Sequence, residues 1–289
     1  MTTGVFYDVP WSEYRELPGI TNSQLALLSR SPRHFRFPPK VQESPGLRLG
    51  TLTHAAILEP LDLLRRYVVM PDYAGDERNQ TGDGRRSSAR TGWVREQEES
   101  FRSMHAGKEF VLEQEMTAMV GMASAVAAND AARAVLQHAG RSEVTICWTD
   151  RSTGLLCKGR IDRLGDTIGD LKTCVDLKKF VHSYRDFAYY RQMAYYVDGY
   201  ATLTGQVLTP WIVAVEKTPP HCTAVAPVHA DDLEQGRVEY RELLRKYQEC
   251  QRTREWPGPP SPDYWRLPDW ARRGEATHYT ETETEVSAI

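Results

Sequence analysis

The amino-acid sequence predicts an α/β fold with a mixed central sheet flanked by helices. Two observations lead to that prediction. The spacing of apolar residues changes from a helical period to a strand period and back along the chain. The predicted elements also follow the order helix, antiparallel strands, helix, strand, helix, which is typical of a mixed sheet with helices packed on it.

The first predicted helix follows a capping box. Thr21 is followed three positions later by Gln24, so that the two side chains can each bond the other's backbone, and the helix should continue through Leu28. Ser31-Pro32 then ends this helix or starts the next turn. A second helix is predicted over Leu47 to Leu58, because its apolar residues lie mostly on one face.

A polar segment separates that helix from the next helical region. Residues 71–92 are rich in Gly, Asp, Asn, Ser and Arg and offer little to bury, so we expect a mobile loop. Helical spacing then continues from about 94 to 139, with a break near Ala106-Gly107. The chain beyond Arg272 is polar and acidic without a pattern. We therefore expect one domain over 1–270 and a disordered acidic tail over 271–289.

The second half of the chain contains the strands. Three successive strands are predicted at Val144 to Trp148, Leu155 to Leu164 and Ile168 to Thr173. A helix rich in aromatic residues follows at about 187–203, and a further strand and helix follow at about 208–215 and 230–250.

Composition narrows the class of protein. The chain has 289 residues, of which 40% are hydrophobic and 26% charged, and this suits one large globular domain. Its apolar runs are far shorter than the ~20 residues of a membrane-spanning helix, and residues 1–14 lack the pattern of a secretory signal. Five cysteines, without a C-x-x-C pair, predict reduced thiols in a cytoplasmic protein.

Positive charge is concentrated in two short stretches, whereas the net charge of the whole chain is slightly negative. The formal net charge of −3 provides no overall attraction to nucleic acid. Two basic stretches stand out, and either can be a solvated surface: Arg85, Arg86, Arg90 and Arg95 in the polar segment, and Lys158, Arg160 and Arg163 in the second predicted strand.

The hairpin formed by the second and third strands carries two carboxylates and a lysine. Residues i and i+2 of a strand face the same side, so Asp170 and Lys172 project together while Leu171 points into the core. Two carboxylates close together repel unless a cation lies between them, and oxygen ligands suit Mg²⁺ or Mn²⁺. A D-x-K tripeptide alone is weak support, because an ordinary surface Asp–Lys pair has the same sequence.

The position of Asp162 relative to Asp170 depends on the length of the turn. A two-residue turn at Gly165-Asp166 would pair Asp162 with Gly169 and place the two carboxylates on opposite faces. An odd loop, such as Gly165 to Thr167, or a bulge would pair Asp162 with Asp170. A metal site therefore requires the odd loop or the bulge.

Two predicted helices add polar residues to this set. His54 lies on an otherwise apolar helix face, and Gln192 and Tyr196 share one face of the aromatic helix because they are four residues apart. Each feature taken alone is typical of an ordinary core residue.

Their order along the chain is more specific than any one of them. The motifs run Gly50 to His54, Gly159 to Asp162, Asp170 to Lys172 and Gln192 to Tyr196. This set resembles the PD-(D/E)xK nuclease superfamily, in its branch with a G-x-x-x-H helix, a G-x-x-D strand, a D/E-x-K strand and a Q-x-x-x-Y helix. The closer resemblance is to the phage and prophage exonuclease VIII type, the RecE-like nuclease domain.

Further segments extend the resemblance over most of residues 6–270. They are Ile20 to Ser23 leading to Ser31-Pro32, Leu49 to Ala55, Glu143 to Trp148, and Trp265 to Trp270. The Arg-rich loop departs from the family's pattern, so the resemblance assigns it no role.

The resemblance implies a role for each matching residue. His54, Asp162 and Asp170 would bind the metal, with the Leu171 carbonyl as a further ligand, and Lys172 would be the catalytic lysine. Gln192 and Tyr196 would position the DNA strand or the metal ligands, and Arg160 and Arg163 are candidates for contact with DNA. Glu143 is a candidate ligand for a second metal, or an exposed carboxylate at the start of a strand without a role. The family's iron–sulfur branch needs a cysteine quartet that this chain lacks, so no cluster is expected.

The resemblance implies a Mg²⁺-dependent exodeoxyribonuclease, with Mn²⁺ able to substitute. Such an enzyme degrades one strand of duplex DNA from an end, 5′ to 3′, and leaves single-stranded DNA for phage-type homologous recombination. It further implies a ring-shaped homo-oligomer that acts on double-stranded DNA ends, with a single-strand annealing protein as partner. The protein would be encoded by a phage or prophage and located in the cytoplasm of the bacterial host, with no association with a membrane. The alternatives are a structure- or site-specific DNA endonuclease and a non-catalytic DNA-binding or assembly module of the same fold.

Overall fold

The computed structural model describes residues 3–40, 44–87, 91–137 and 139–262. Within those ranges the strands are β1 (Gly4–Phe6), β2 (Tyr67–Val69), β3 (Glu109–Val111), β4 (Gly140–Thr149), β5 (Leu156–Gly165), β6 (Ile168–Cys174), β7 (Pro210–Glu216) and β8 (Thr223–Pro227). The helices are α1 (Trp11–Glu16), α2 (Asn22–Arg30), α3 (Pro32–Arg36), α4 (Pro45–Leu58), α5 (Pro60–Arg66), α6 (Gly92–Met104), α7 (Glu113–Ala128), α8 (Asp130–Leu136), α9 (Phe180–Asp186), α10 (Tyr189–Thr204) and α11 (Ala230–Thr253).

One large sheet forms the centre of the fold, in the strand order β1-β4-β5-β6-β7-β8. Strands β6 and β7 are parallel, and the other neighbours are antiparallel. The predicted mixed central sheet is therefore confirmed. The parallel pair exists because α9 and α10 carry the chain from the end of β6 back to the start of β7.

Helices cover both faces of this sheet. On one face, Met193 of α10 and Leu244 of α11 are fully buried and share a hydrophobic cluster with Ile161 of β5. On the other face, Met122 of α7 packs in a second cluster with Leu171 of β6, to which α4 and α8 also contribute. Burial of apolar surface on both sides of the strands is the main stabilising contribution to such a layered fold.

The predicted helix starts and stops agree with the structure at α2 and differ farther along. Gln24 N donates to Thr21 Oγ1 (3.2 Å) and Thr21 N donates to Gln24 Oε1 (2.9 Å), so the capping box is confirmed. The break near Ala106-Gly107 is also confirmed. The prediction that the rest of this region is one continuous helix is wrong. The short strand β3 and a second break at Asn129 interrupt it. Asn129 caps α8 by accepting from Ala132 N (3.0 Å).

The mobile loop predicted over 71–92 is described at residues 71–87 and 91–92, and this part contains local hydrogen bonds. Asn79 is fully buried, and its amide donates to the carbonyls of Ala74 (2.9 Å) and Ser87 (2.8 Å). Its Oδ1 accepts from Thr91 Oγ1 (2.7 Å), which ties the loop to the start of α6. Arg90 and the predicted tail over 271–289 lie outside the described residues. No helix in the described part of the chain is both long and apolar enough to cross a membrane.

The hairpin between β5 and β6 has the odd loop that a shared carboxylate site requires. Arg163 pairs with Gly169 and Leu164 pairs with Ile168. Gly165, Asp166 and Thr167 therefore form a three-residue connection, and its register sets Asp162 opposite Asp170.

Candidate active site

The candidate site lies where β5 and β6 separate. Among the described residues these strands pair at two positions, Arg163 with Gly169 and Leu164 with Ile168, although both strands continue well beyond them. Asp162 Oδ2 instead accepts the backbone N–H of Leu171 (2.8 Å), so a carboxylate takes the place of the next backbone partner. The separation opens a gap in the sheet into which side chains from both faces can reach.

The strand alternation also breaks at this point. Ile161 and Leu164 belong to the same hydrophobic cluster although they are three residues apart, whereas regular alternation would place them on opposite faces. Directly across on β4, Glu143 has a left-handed backbone conformation with φ of 53°. Non-glycine residues rarely adopt this conformation, and they concentrate at functional sites.

The side chain of Glu143 is less exposed than expected for a carboxylate at the start of a strand. Strand β4 begins three residues earlier, at Gly140, and the Glu143 side chain is only 20% exposed. Its Oε2 accepts from Arg160 Nε. Burial, and then the negative charge of Asp162, raise the pKa of Glu143 above its ordinary value. The expectation of an exposed carboxylate was therefore wrong.

The predicted D-x-K pair forms one network with the Q-x-x-x-Y helix. Lys172 Nζ lies 2.5 Å from Asp170 Oδ2 and donates to Gln192 Oε1 (3.3 Å). The Gln192 amide donates to Asp170 Oδ1 (3.1 Å) and to the Tyr196 hydroxyl (3.3 Å). Asp170 is 1% exposed, and Leu171 is fully buried toward the opposite cluster, as predicted. Gln192 therefore links three residues, Asp170 and Lys172 of β6 and Tyr196 of its own helix α10.

His54 reaches the same gap from α4. Its Nδ1 lies 3.6 Å from Asp162 Oδ2, and its ring interacts with the carbonyl of Leu171. Burial, followed by the charge of Lys172, lowers the pKa of His54, which favours the neutral imidazole that binds metals. The structure thus brings together His54, the Leu171 carbonyl and both predicted aspartates.

Three of these residues have the spacing of a metal-binding group. One ligand atom each from His54, Glu143 and Asp162 lie within 4.8 Å of one another. The Asp170 carboxylate is turned toward Lys172 and Gln192 instead, and its buried Oδ2 has no hydrogen bond of regular geometry among the described residues. An imidazole nitrogen with carboxylate oxygens fits a divalent cation such as Mg²⁺ or Mn²⁺.

The charges of the site also favour a bound divalent cation. Burial, and then repulsion from Asp170, raise the pKa of Asp162 to about 7. Burial opposes the charge of Lys172, but the carboxylates of Asp170 and Asp162 outweigh it and hold the pKa of that ammonium above its ordinary value. Two buried carboxylates beside one lysine leave unbalanced negative charge, which a divalent cation can neutralise.

The basic residues predicted beside the site have partners within the chain. Lys158 is 5% exposed, and its Nζ donates to the carbonyls of Tyr14 (2.9 Å), Arg15 (3.2 Å) and Leu17. Arg160 donates to Glu143 and to the Val9 carbonyl (2.7 Å). Arg163 donates to Ser142 Oγ (3.1 Å). Lys158 therefore fixes the end of α1 rather than forming a solvated face.

A cleft of about 300 Å³ opens from Asp162 toward the N-terminal segment. Its walls include residues of α1, α2, β5 and α10, among them Trp11, Tyr14, Asn22, Arg160, Gln192 and Tyr196. The sequence interpretation missed Trp11 and Tyr14. The six-residue helix α1 has too few turns to show a periodic signal, and contacts with residues far along the chain bring this segment to the site, among them the bridge between Ile20 and Cys157 of β5.

A known protein family matches most of the chain. The sequence profile of a family described as "PDDEXK-like domain of unknown function (DUF3799)" matches residues 22–266. The chain belongs to this family. No curated protein sequence shows a significant match.

A solved structure shows a similar fold. It is a protein from Eubacterium rectale described as a candidate exonuclease, and it superposes with a TM-score of 0.58 over 91% of this chain and 96% of that chain, at 12% sequence identity. The family match and this neighbour together show that the chain has a PDDEXK-like fold. PD-(D/E)xK nucleases use divalent metals, which agrees with the donor set of His54, Glu143 and Asp162.

Proposed function

We propose that this protein is a metal-dependent exodeoxyribonuclease that degrades one strand of duplex DNA from an end, 5′ to 3′, and leaves single-stranded DNA for phage-type recombination. One observation supports hydrolysis above all others. Asp162, Asp170 and Lys172 meet in the gap between β5 and β6, and His54 enters it from α4. A purely structural or assembly role does not require two carboxylates and a lysine in a buried gap.

Each residue has a role that its contacts support. His54, Glu143, Asp162 and Asp170, with the Leu171 carbonyl, would hold one or two divalent cations. A cation at this place supplies positive charge to a phosphate and lowers the pKa of water. Lys172 places a fixed ammonium next to the reacting phosphate, where it can orient a water or stabilise negative charge. Gln192 holds Lys172 and Asp170 in position, and Tyr196 holds Gln192.

Exonuclease action, rather than internal cleavage, is supported by the resemblance to the RecE-like type and by the description of the neighbour from Eubacterium rectale. The same resemblance supports Mg²⁺ as the ion, a ring-shaped homo-oligomer, a single-strand annealing partner and origin in a phage or prophage. The described residues carry the catalytic set within one chain.

The test compares linear duplex DNA with covalently closed circular duplex DNA in Mg²⁺ or Mn²⁺. We expect nucleotide release from the linear substrate and none from intact circles, because an exonuclease needs an end. Lys172→Ala should lower kcat by about 10²- to 10³-fold, the typical effect of removing one fixed donor from a developing charge. Lys246→Ala, at an exposed lysine of α11, is the matched control and should leave kcat unchanged.

Strand polarity is read from the same linear substrate labelled at one 5′ end or one 3′ end. Early release of the 5′ label supports the proposed direction. Cleavage of closed circles would favour the endonuclease alternative. If wild-type protein released no nucleotides with either cation, the catalytic proposal would be wrong and the DNA-binding module would remain.

A further inference from the structure

An exposed tryptophan borders the cleft that leads to the candidate site. Trp11 is 58% exposed, yet it lines the same cavity as Asp162 and Gln192. Large aromatic side chains are usually buried, and an exposed ring beside a binding cleft is a feature of interaction sites. The proposed hydrolysis does not use this ring.

The ring of Trp11 is held in a fixed orientation. It stacks on Tyr14, with centroids 5.3 Å apart and planes at 24°, and Tyr14 is 7% exposed. The guanidinium of Arg160 lies 5.8 Å from the centre of the Trp11 ring and 5.7 Å from that of Tyr14. Arg160 is itself fixed by Glu143 and by the Val9 carbonyl (2.7 Å). Support by Tyr14 and Arg160 leaves exposed ring surface at the cleft.

Part of the lining of the cleft is polar. Thr21, Asn22 and Ser23, at the start of α2, line the cavity with hydroxyl and amide groups. A cleft of about 300 Å³ is at the small end of the range for ligand sites, which suits one nucleotide rather than the paired end of a duplex. An aromatic ring and polar groups in the lining of one cleft match a nucleobase, which has an apolar face and hydrogen-bonding edges.

We propose that Trp11 is the stacking wall of a subsite for one unpaired nucleobase, next to the phosphate that is cleaved. The inference rests on the proposed nuclease function and specifies its substrate as a frayed or single-stranded end. Base stacking tolerates every sequence, because each base has an aromatic face. Arg160 supports the platform in this arrangement and need not contact a phosphate.

The test measures binding of a short single-stranded oligonucleotide by fluorescence anisotropy. Proteins with Trp11 and with substitutions of Trp11 are compared, all in the Lys172→Ala background, in which cleavage is slow. The ligands are the intact oligonucleotide and copies that each carry one abasic residue at one of the three positions nearest each end. An abasic residue keeps the phosphates and removes only the stacking surface.

We expect the abasic copy at the stacked position to bind about tenfold more weakly than the intact oligonucleotide when Trp11 is present, in line with the usual strength of base–aromatic stacking. Trp11→Ala should weaken binding of the intact oligonucleotide about tenfold. It should also reduce the abasic penalty, which is the ratio of the Kd of the abasic copy to the Kd of the intact oligonucleotide, to less than about twofold. Trp11→Phe should keep most of the penalty. Phe37→Ala, at an aromatic residue that is 66% exposed outside this cleft, is the control and should change neither affinity.

Trp11→Leu keeps apolar contact with the Arg160 side chain but lacks an aromatic face, so it tests stacking if the alanine variant fails to fold. An equal abasic penalty with and without the ring would overturn the inference. So would a Trp11 variant that weakens intact and abasic ligands alike, or one that changes the oligomeric state on a sizing column while the penalty persists, because Trp11 would then be a contact between copies.

These outcomes are distinct from those of the nuclease test. Wild-type cleavage without an abasic penalty would overturn the subsite and leave the nuclease proposal. A ring-dependent abasic penalty in a protein that never cleaves DNA would support the subsite and overturn the nuclease proposal.

Discussion

Gln192 shows how one neutral side chain organises a charged site. Its oxygen accepts from Lys172, while its nitrogen donates to Asp170 and Tyr196. An amide suits this position because it has both a donor and an acceptor, whereas a carboxylate would add repulsion beside Asp170. These contacts favour a positioning role for Gln192 over the direct DNA contact that the resemblance also allowed.

Gln192→Ala should lower kcat by about ten- to one-hundredfold and leave KM nearly unchanged, because Lys172 and Asp170 lose their fixed separation while no DNA contact is removed. Steady-state kinetics on linear duplex DNA separates the two constants. Gln235→Ala, at an exposed glutamine of α11 that bonds Glu239 (2.9 Å), is the control and should match wild type. A raised KM with unchanged kcat would instead indicate that Gln192 binds DNA.

At the scale of elements, the glycines of the motifs have a packing explanation. A Cβ at Gly159 would lie 2.7 Å from a ring carbon of Tyr196, and one at Gly50 would lie 3.2 Å from Thr173 Oγ1. The first glycine therefore lets α10 approach β5, and the second lets α4 approach β6. The motif spacing predicted these four elements, but not their mutual approach, because it depends on residues far apart in sequence.

Gly159→Ala should displace the Tyr196 ring and cost about 1–3 kcal/mol of unfolding free energy, the usual effect of overpacking a core. Because Tyr196 then loses its bond to Gln192, kcat should fall as well. Denaturant unfolding and cleavage kinetics measure the two effects. Gly92→Ala places a Cβ where no atom lies within 4 Å and should change neither quantity by much. Unchanged stability and kcat in Gly159→Ala would show that the Tyr196 ring can move away from the added Cβ at little energetic cost.

At the scale of the whole molecule, the order of the motifs predicted the fold, and long-range contacts completed the site. Strong periodicity identified β4 to β7, α10 and α11 within a few residues. Three-residue β1, six-residue α1 and the edge strand β8 were missed, because such short elements form only through pairing or packing with distant partners. The strand separation and the left-handed Glu143 likewise arise from tertiary contacts, so the strand pattern gave Glu143 the wrong exposure.

Divalent cations should stabilise the folded protein, and more so at pH 8 than at pH 5.5. Without a cation, the folded-state pKa of Asp162, about 7, lies above the ordinary carboxyl value near 4. The folded protein then binds more protons than the unfolded chain between about pH 4 and 7, so the contribution of Asp162 to the free energy of unfolding falls as pH rises through that window. A cation competes with this proton and reverses the loss at higher pH.

At pH 8 and a cation concentration ~100 times Kd, binding contributes about 2.7 kcal/mol, which corresponds to roughly 5 °C in Tm for a chain of this size. Calorimetry with and without Mg²⁺ or Mn²⁺ at the two pH values measures it. Asp162→Asn removes the charge and keeps an oxygen for the Leu171 N–H, so without a cation it should be more stable than wild type at pH 8 and should respond little to cations. Asp166→Asn, at the exposed turn of the same hairpin, should respond as wild type does. A cation response that is equal in Asp162→Asn and wild type would place the cation elsewhere.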